Sequence, residues 1–302
     1  MTAQAQNGPH VPGGLHDDLL DSPLAILVHP ILFRLPVLGL PVYGYGFMLG
    51  LALICGWNLA LLDCRRRGVP LSTMLWGVPV VMLCALLGSR VLYLANHLDE
   101  ARSAWDWFRL SSGGIVAYGG FLGGAAGAWI AFGRVGAGFL GAADLMTPSV
   151  ALGTALTRVG CLLNGCDFGT PTALPWGLRF PQGSLPWRQH VEAGLLTPAA
   201  TTSLPVHPTQ IYESAAAIAL FAIAMALRGR ARFPGQVFLF FFAGYGVARA
   251  AIELVRGDPS RGLLLGLPTS QTLGLTTALL ALVAWPLLAA RAAHPSGGST
   301  CA

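Results

Sequence analysis

Apolar residues run along this chain in long blocks rather than in alternation. Four blocks hold no charged residue: Val42–Leu62, Gly68–Ser89, Leu110–Gly133 and Gly262–Ala290. Each reaches the roughly 20 residues that an α-helix needs to cross about 30 Å of hydrocarbon. Three further stretches, 143–163, 207–227 and 235–254, are equally long but enclose Arg158, Glu213, and the pair Arg249 and Glu253. Hydrocarbon offers backbone N–H and C=O groups no partner, so each span must satisfy its own hydrogen bonds as a helix. The pattern predicts an all-α polytopic membrane protein with about seven transmembrane helices.

The polar stretches between these blocks complete the layout. The longest connection, 164–206, is rich in Pro, Gly and Trp, and a second at 96–112 contains Trp105 and Trp107. Indole rings settle at the headgroup level, so these segments read as an extracytoplasmic cap. Residues 1–28 are expected to form a flexible extracytoplasmic segment, 29–291 the membrane-embedded domain, and 292–302 a disordered cytoplasmic tail. The start of the chain is polar, with Asp17 and Asp18 before the first apolar stretch, so internal helices are expected to drive insertion.

Composition sharpens the class. Hydrophobic residues make up 54% and charged residues 10%, well below the ~25% charged of soluble domains. All 18 basic residues are Arg, and the formal net charge is +5. With no basic stripe interleaved with aromatics, this balance points to anionic lipid surfaces and away from nucleic acid. Arginines gather in short connections on one side: Arg65–Arg67, Arg134, Arg228, Arg230, Arg232 and Arg291, opposed there by Asp63 and Asp144. The other side carries seven Arg against nine acids. The positive-inside rule then places the N-terminus outside and the C-terminus in the cytoplasm.

The charges inside the spans carry the functional information. Counting at about 1.5 Å per residue, Arg158 lies ~22 Å and Arg249 ~21 Å from the cytoplasmic starts of their helices, and Glu213 ~10 Å down from the outside. Three helices thus bring ionisable groups to one level of the outer leaflet. Each costs at least about 2.5–3.5 kcal/mol to bury, so partners or a ligand must offset it. Arg249 and Glu253 can neutralise each other at i and i+4, with Arg158 pairing Glu213 across helices. Alternatively, with spare guanidinium donors and Arg90 at the outer end of the second span, the level is net cationic and suits an anionic lipid headgroup.

Several segments, in order, resemble one family. They are Pro41-Val-Tyr43-Gly44, Gly88-Ser-Arg90 with Tyr93, Ser112-Gly113-Gly114-Ile-Val-Ala-Tyr118-Gly119-Gly120, Thr157-Arg158-Val-Gly160-Cys161-Leu-Leu-Asn164-Gly165-Cys166-Asp167-Phe168-Gly169, Pro175-Trp176-Gly177, His207-Pro208-Thr209-Gln210-Ile-Tyr212-Glu213, and Gly244-Tyr245-Gly246-Val-Ala-Arg249 through Glu253 and Arg256. The ordered set resembles the prolipoprotein diacylglyceryl transferases. That resemblance implies an enzyme of the bacterial cytoplasmic membrane that moves the diacylglyceryl group of phosphatidylglycerol onto the lipobox cysteine of a preprolipoprotein. A thioether forms, glycerol-1-phosphate leaves, and no cofactor or metal is required. By the same analogy Arg158 and Arg249 clamp the phosphate, Asn164, Gly169 and Arg256 lie near the headgroup or its exit, and Tyr43 touches the headgroup. Arg90, His207, Glu213 and Glu253 complete the expected substrate-binding set, with His207 also suited to capping a helix.

The chain departs from the family pattern at three places. Tyr118 stands where typical members carry a His, and a phenol with an ordinary pKa near 10 accepts protons poorly at neutral pH. A positioning role for Tyr118 fits that chemistry, and a base lowered by the arginines is the alternative. Thr157 replaces a Gly, and Cys161 and Cys166 occupy usual Asn and Glu positions. Those two thiols can be inert, can form a disulfide, or can ligate a metal with His207. On a straight helix i and i+5 diverge, so a bond requires the helix to end near Asn164, which Gly165 permits. Gly119, Gly123 and Gly127, with Gly120 and Gly124, form ridges that predict close helix packing. Two other functions remain compatible with the sequence: a paralogue acting on another thiol or lipid, and a non-enzymatic lipid-binding or transport protein.

Overall fold

A computed structural model describes residues 30–34, 36, 39–67, 70–96, 117–133, 138–257, 263–264 and 266–293. The expected N-terminal segment, the Trp105 and Trp107 connection and the tail from 294 onward lie outside these residues, and positions 292 and 293 of the expected tail belong to the last helix. Eight helices appear among the described residues: α1 (Gly44–Arg67), α2 (Leu71–Asn96), α3 (Ala117–Phe132), α4 (Gly138–Asn164), α5 (Leu185–Glu192), α6 (Thr209–Leu227), α7 (Gln236–Glu253) and α8 (Thr269–Ala293). Five of them, α1, α2, α4, α6 and α8, are long and apolar enough to cross a membrane. The 18 residues of α7 include Gln236, Arg249 and Glu253, which dilute its apolar character, and α3 has 16 residues. Two small antiparallel hairpins add strands β1 (Ile31–Arg34) with β2 (Pro41–Tyr43), and β3 (Leu263–Leu264) with β4 (Leu267–Pro268). The architecture is mostly helical, as the apolar blocks require.

The chain divides into two compact units. One comprises residues 1–55, 150–223 and 240–284, and the other 56–149, 224–239 and 285–302. In the second unit, α2 and α3 pack with their backbones in contact. A Cβ on Gly119 would strike the carbonyl of Gly88, and one on Gly123 the carbonyl of Cys84, so only glycine allows this approach. Nearby, Ala60, Cys64, Met74, Phe132, Ala142 and Leu145 close an apolar core.

In the first unit the 164–206 connection is a folded layer rather than a loose loop. Phe168, Leu178, Phe180 and Val206 form its core. Backbone bridges join Pro171 and Leu178 to Val206, and Pro181 to Thr202. The short α5 lies in this layer, and its His190 is buried with Nδ1 accepting the Leu204 N–H at 3.2 Å. Burial holds this imidazole neutral, with its pKa pushed down to about 4. The layer matters for function because it fixes where α4 ends and α6 begins.

Candidate active site

The end of α4 is shaped by one glycine. Gly165 adopts φ 73°, and its N–H bonds the Leu162 carbonyl while the Cys166 N–H reaches back to the Cys161 carbonyl at 3.1 Å. This pair of bonds is a Schellman cap, which stops the helix and turns the chain. Asp167 follows with φ 60°, an uncommon conformation for a residue with a side chain. The first turn of α6 holds that turn in place: Thr209 Oγ1 donates to the Asp167 carbonyl at 2.5 Å and Gln210 Nε2 to the Cys166 carbonyl at 2.7 Å. Both side chains are nearly inaccessible.

The chain beyond α7 is tied to the same turn. Gly169 pairs with Arg256 across an antiparallel bridge, Thr170 N–H donates to the Val255 carbonyl at 2.8 Å, and Gly257 N–H to the Phe168 carbonyl at 3.1 Å. Any side chain at Gly169 would collide with His207 and the Val255 carbonyl, so glycine here lets three backbones meet.

Three guanidiniums converge within this frame. Arg158 on α4 pairs through Nε with Glu213 and through Nη1 with Asp167 at 2.7 Å. Arg249 on α7 contacts Glu213 through Nε at 3.3 Å and Glu253 through Nη1 at 2.5 Å. Arg256 reaches Asp167 and, at 3.4 Å, Glu213. Glu213 is therefore the hub, buried and shared by all three arginines. The phenol of Tyr245 hydrogen-bonds Arg158 and stacks on Phe241 with ring centroids 5.7 Å apart. Removing one carboxylate would leave half-buried cations uncompensated, so the cluster is held as a unit.

The structure thus brings together five of the residues singled out by sequence: Arg158, Arg249, Arg256, Glu213 and Glu253. It contains both pairings that burial demanded, Arg249 with Glu253 and Arg158 with Glu213. Within the cluster itself three guanidiniums face three carboxylates, because Asp167 joins Glu213 and Glu253. Asp167 was missed as a site residue; its signal was an acidic group two positions after a helix-ending glycine. Asn164 is exposed at the end of α4. His207 lies off the cluster, with Nδ1 3.4 Å from the Tyr212 hydroxyl, which itself accepts from Trp176 Nε1 at 2.8 Å. Burial lowers the His207 pKa. Tyr43 is exposed in β2. Arg90 belongs to the other unit, where it is buried with its guanidinium 5.4 Å from the Tyr93 ring centre. Tyr118 stands in the first turn of α3, and its side chain lies outside the described residues.

Cys161 and Cys166 are free thiols. With Asp167 they bring their ligand atoms within 4.8 Å of one another. The group differs from the expected trio with His207, and both Asp167 oxygens already engage guanidiniums.

Apolar spans enclosing an arginine–carboxylate centre define a multi-pass membrane protein. The chain belongs to the prolipoprotein diacylglyceryl transferase family, since the model of that family matches residues 30–287. Relatives carry the name phosphatidylglycerol–prolipoprotein diacylglyceryl transferase. That of Clostridium tetani is 32% identical over 251 residues, covering 83% of this chain and 94% of the relative. That of Neisseria meningitidis is 32% identical over 275 residues, covering 84% and 93%. A Clostridium perfringens protein with the same name and the suffix 2 is 30% identical over 236 residues, covering 78% and 86%.

Proposed function

We propose that this chain transfers the diacylglyceryl group of phosphatidylglycerol to the thiol of the lipobox cysteine in the signal peptide of a preprolipoprotein. One observation carries the chemistry: arginines from α4, from α7 and from the segment after α7 meet at Glu213. Family membership and the relatives' names support the substrates. A guanidinium has five N–H donors, so Arg158 and Arg249 keep donors beyond their carboxylate contacts. Those donors bind the lipid phosphate in a bidentate fork, while the carboxylates hold each fork at a fixed angle.

In the reaction the substrate sulfur forms a bond to the terminal glyceryl carbon as the carbon–oxygen bond to phosphate breaks. Glycerol-1-phosphate leaves with the electron pair, and the thiol proton passes to a base or to solvent. Negative charge grows on the leaving phosphate, and fixed cations there lower the barrier without any change in their own protonation. The same cations favour the thiolate of the incoming cysteine. Arg158 and Arg249 are the catalytic residues in this scheme. Tyr118 positions the lipid, and Tyr43, Arg90, Asn164, Gly169, His207, Glu213, Glu253 and Arg256 form or shape the binding site.

The membrane arrangement that goes with this scheme has seven spans, α1–α4 and α6–α8, with the 164–206 layer as the extracytoplasmic cap. The N-terminus lies outside and the C-terminus in the cytoplasm of a bacterial inner membrane. Purified protein given phosphatidylglycerol and a lipobox peptide should release glycerol-1-phosphate in step with peptide lipidation. Release without lipidation, or neither, would refute the scheme. A second reading, a paralogue acting on another thiol or lipid, draws on Tyr118, Cys161 and Cys166. Complementation of a transferase-depleted bacterium separates the two: growth supports the main reading, and failure at normal expression supports the paralogue.

A further inference from the structure

The Schellman cap that ends α4 does more than stop the helix. In this motif the residues at either end of the long backbone bond commonly face each other with apolar side chains. Here those two residues are Cys161 and Cys166, joined by the bond from the Cys166 N–H to the Cys161 carbonyl. Their sulfurs lie within 4.8 Å, and the Cys166 thiol also approaches the Cys161 carbonyl at 3.7 Å. The helix ends where a bond between i and i+5 requires it to end. We propose that Cys161 and Cys166 are a redox-active dithiol that closes to a disulfide across this cap by exchange with an external disulfide.

Accessibility sets the order of events. Cys166 is only half-buried on the turn, whereas Cys161 is buried with 5% of its surface accessible. Cys166 lies beyond the end of α4, and its pKa is drawn down. The hydrogen bond from the Cys161 thiol is the largest cause; the Asn164 side chain, a backbone bond and the charge of Arg158 add to it against the opposing effect of burial. The Cys166 thiolate attacks one sulfur of the external disulfide and expels the other as a thiol. Cys161 then loses its proton, attacks the Cys166 sulfur of the mixed disulfide and expels the second thiol. The protein loses two thiol hydrogens and gains one sulfur–sulfur bond, and the oxidant becomes two thiols. Closing the bond pins the turn that presents Asp167 to Arg158 and Arg256. A metal at the same place is disfavoured, because a divalent cation would face those two guanidiniums directly.

The test reads sulfur chemistry alone, so its failure would leave the transferase reading standing. Purified full-length protein in detergent is incubated with oxidised glutathione, treated with iodoacetamide, digested and weighed by mass spectrometry. The fragment holding both residues should be unalkylated and lighter by two hydrogens, and dithiothreitol should restore both alkylation sites. Cys161→Ser should trap glutathione on Cys166, while Cys166→Ser should leave buried Cys161 unmodified. Oxidation should also slow amide hydrogen exchange across residues 164–169. Two alkylatable thiols after oxidation, or a glutathione adduct that persists on Cys166 in the unmodified chain, would overturn the proposal.

Discussion

Two sets of carboxylates in this protein are used in opposite ways. Asp144, in one unit, accepts the backbone N–H groups of Gly235 and Phe238, both at 2.8 Å, and so caps the start of α7. Asp63 in the same unit pairs with Arg228 at 2.5 Å, next to the C-terminal ends of α1 and α6. Asp144 thus settles a helix start, where orphan donors and the dipole await an anion, while Asp63 holds a cation beside helix C-termini, where the dipole favours one. Glu213 and Asp167, in the other unit, instead hold arginines from separate segments. A carboxylate that caps one helix makes structure; a carboxylate shared by several arginines aims them at a common point.

The largest effect should come from changing an aimed arginine while keeping its charge. Arg158→Lys replaces a planar fork with a point charge, which cannot span Glu213, Asp167 and a phosphate together. Turnover of purified enzyme should fall about 10²–10³-fold, the cost of one oriented donor to a developing anion. Normal turnover in a correctly folded Lys variant would show that aiming is not what the shared carboxylates do.

Acid should separate the two regions next. His190 is buried neutral, with its pKa pushed down to about 4 against an ordinary 6.5. Between these values the unfolded chain binds more protons than the folded one, so stability is full above about pH 6.5 and declines as pH falls toward 4. The decline is on the order of 3 kcal/mol at most, and it is confined to the layer that carries Asp167. Hydrogen exchange across pH should show residues 164–206 loosening in acid. His190→Asn, whose amide oxygen can accept the Leu204 N–H, should flatten that slope. An unchanged slope would assign it to another group.

A smaller loss is expected from the capping acid. Asp144→Ala removes the side-chain acceptor of two N–H groups at the start of α7 and should destabilise the fold by about 2 kcal/mol. Thermal unfolding in detergent should reveal it, while kcat/KM per folded molecule stays near that of the unmodified chain. A catalytic defect as deep as that of the arginine variant would erase the distinction between the two uses of carboxylate.

Much of this contrast was legible in the chain. Apolar block length foretold the helices: 143–163 became Gly138–Asn164 and 207–227 became Thr209–Leu227. Helix ends spread further than the blocks, since α1 carries Arg65 and Arg66 on its last turn, where cations suit the dipole. Arg158, Glu213, Arg249 and Glu253 stood out because charge inside an apolar run is costly. Asp167 was not singled out as a site residue because helix counting stops at Asn164; its place depends on a left-handed turn and on backbone pairing with residues beyond α7. Counting Asp167 is what makes the cluster neutral.

The smallest effect is expected at Tyr118, and it tests whether aiming suffices. If the arginines and the substrate thiolate account for the chemistry, a phenol at this position only orients the lipid. Tyr118→Phe should then lower kcat/KM by about tenfold or less, the worth of one neutral hydrogen bond. Arg249→Ala should cost more, because it removes a phosphate ligand and leaves Glu213 and Glu253 short of a partner. Comparing the two variants across pH distinguishes the roles. A positioning phenol lowers the rate equally at every pH, whereas a base removes the rise of rate with pH. A deeper loss for Tyr118→Phe than for Arg249→Ala, with that rise abolished, would make the tyrosine the proton acceptor and reduce the arginines to holding the leaving group.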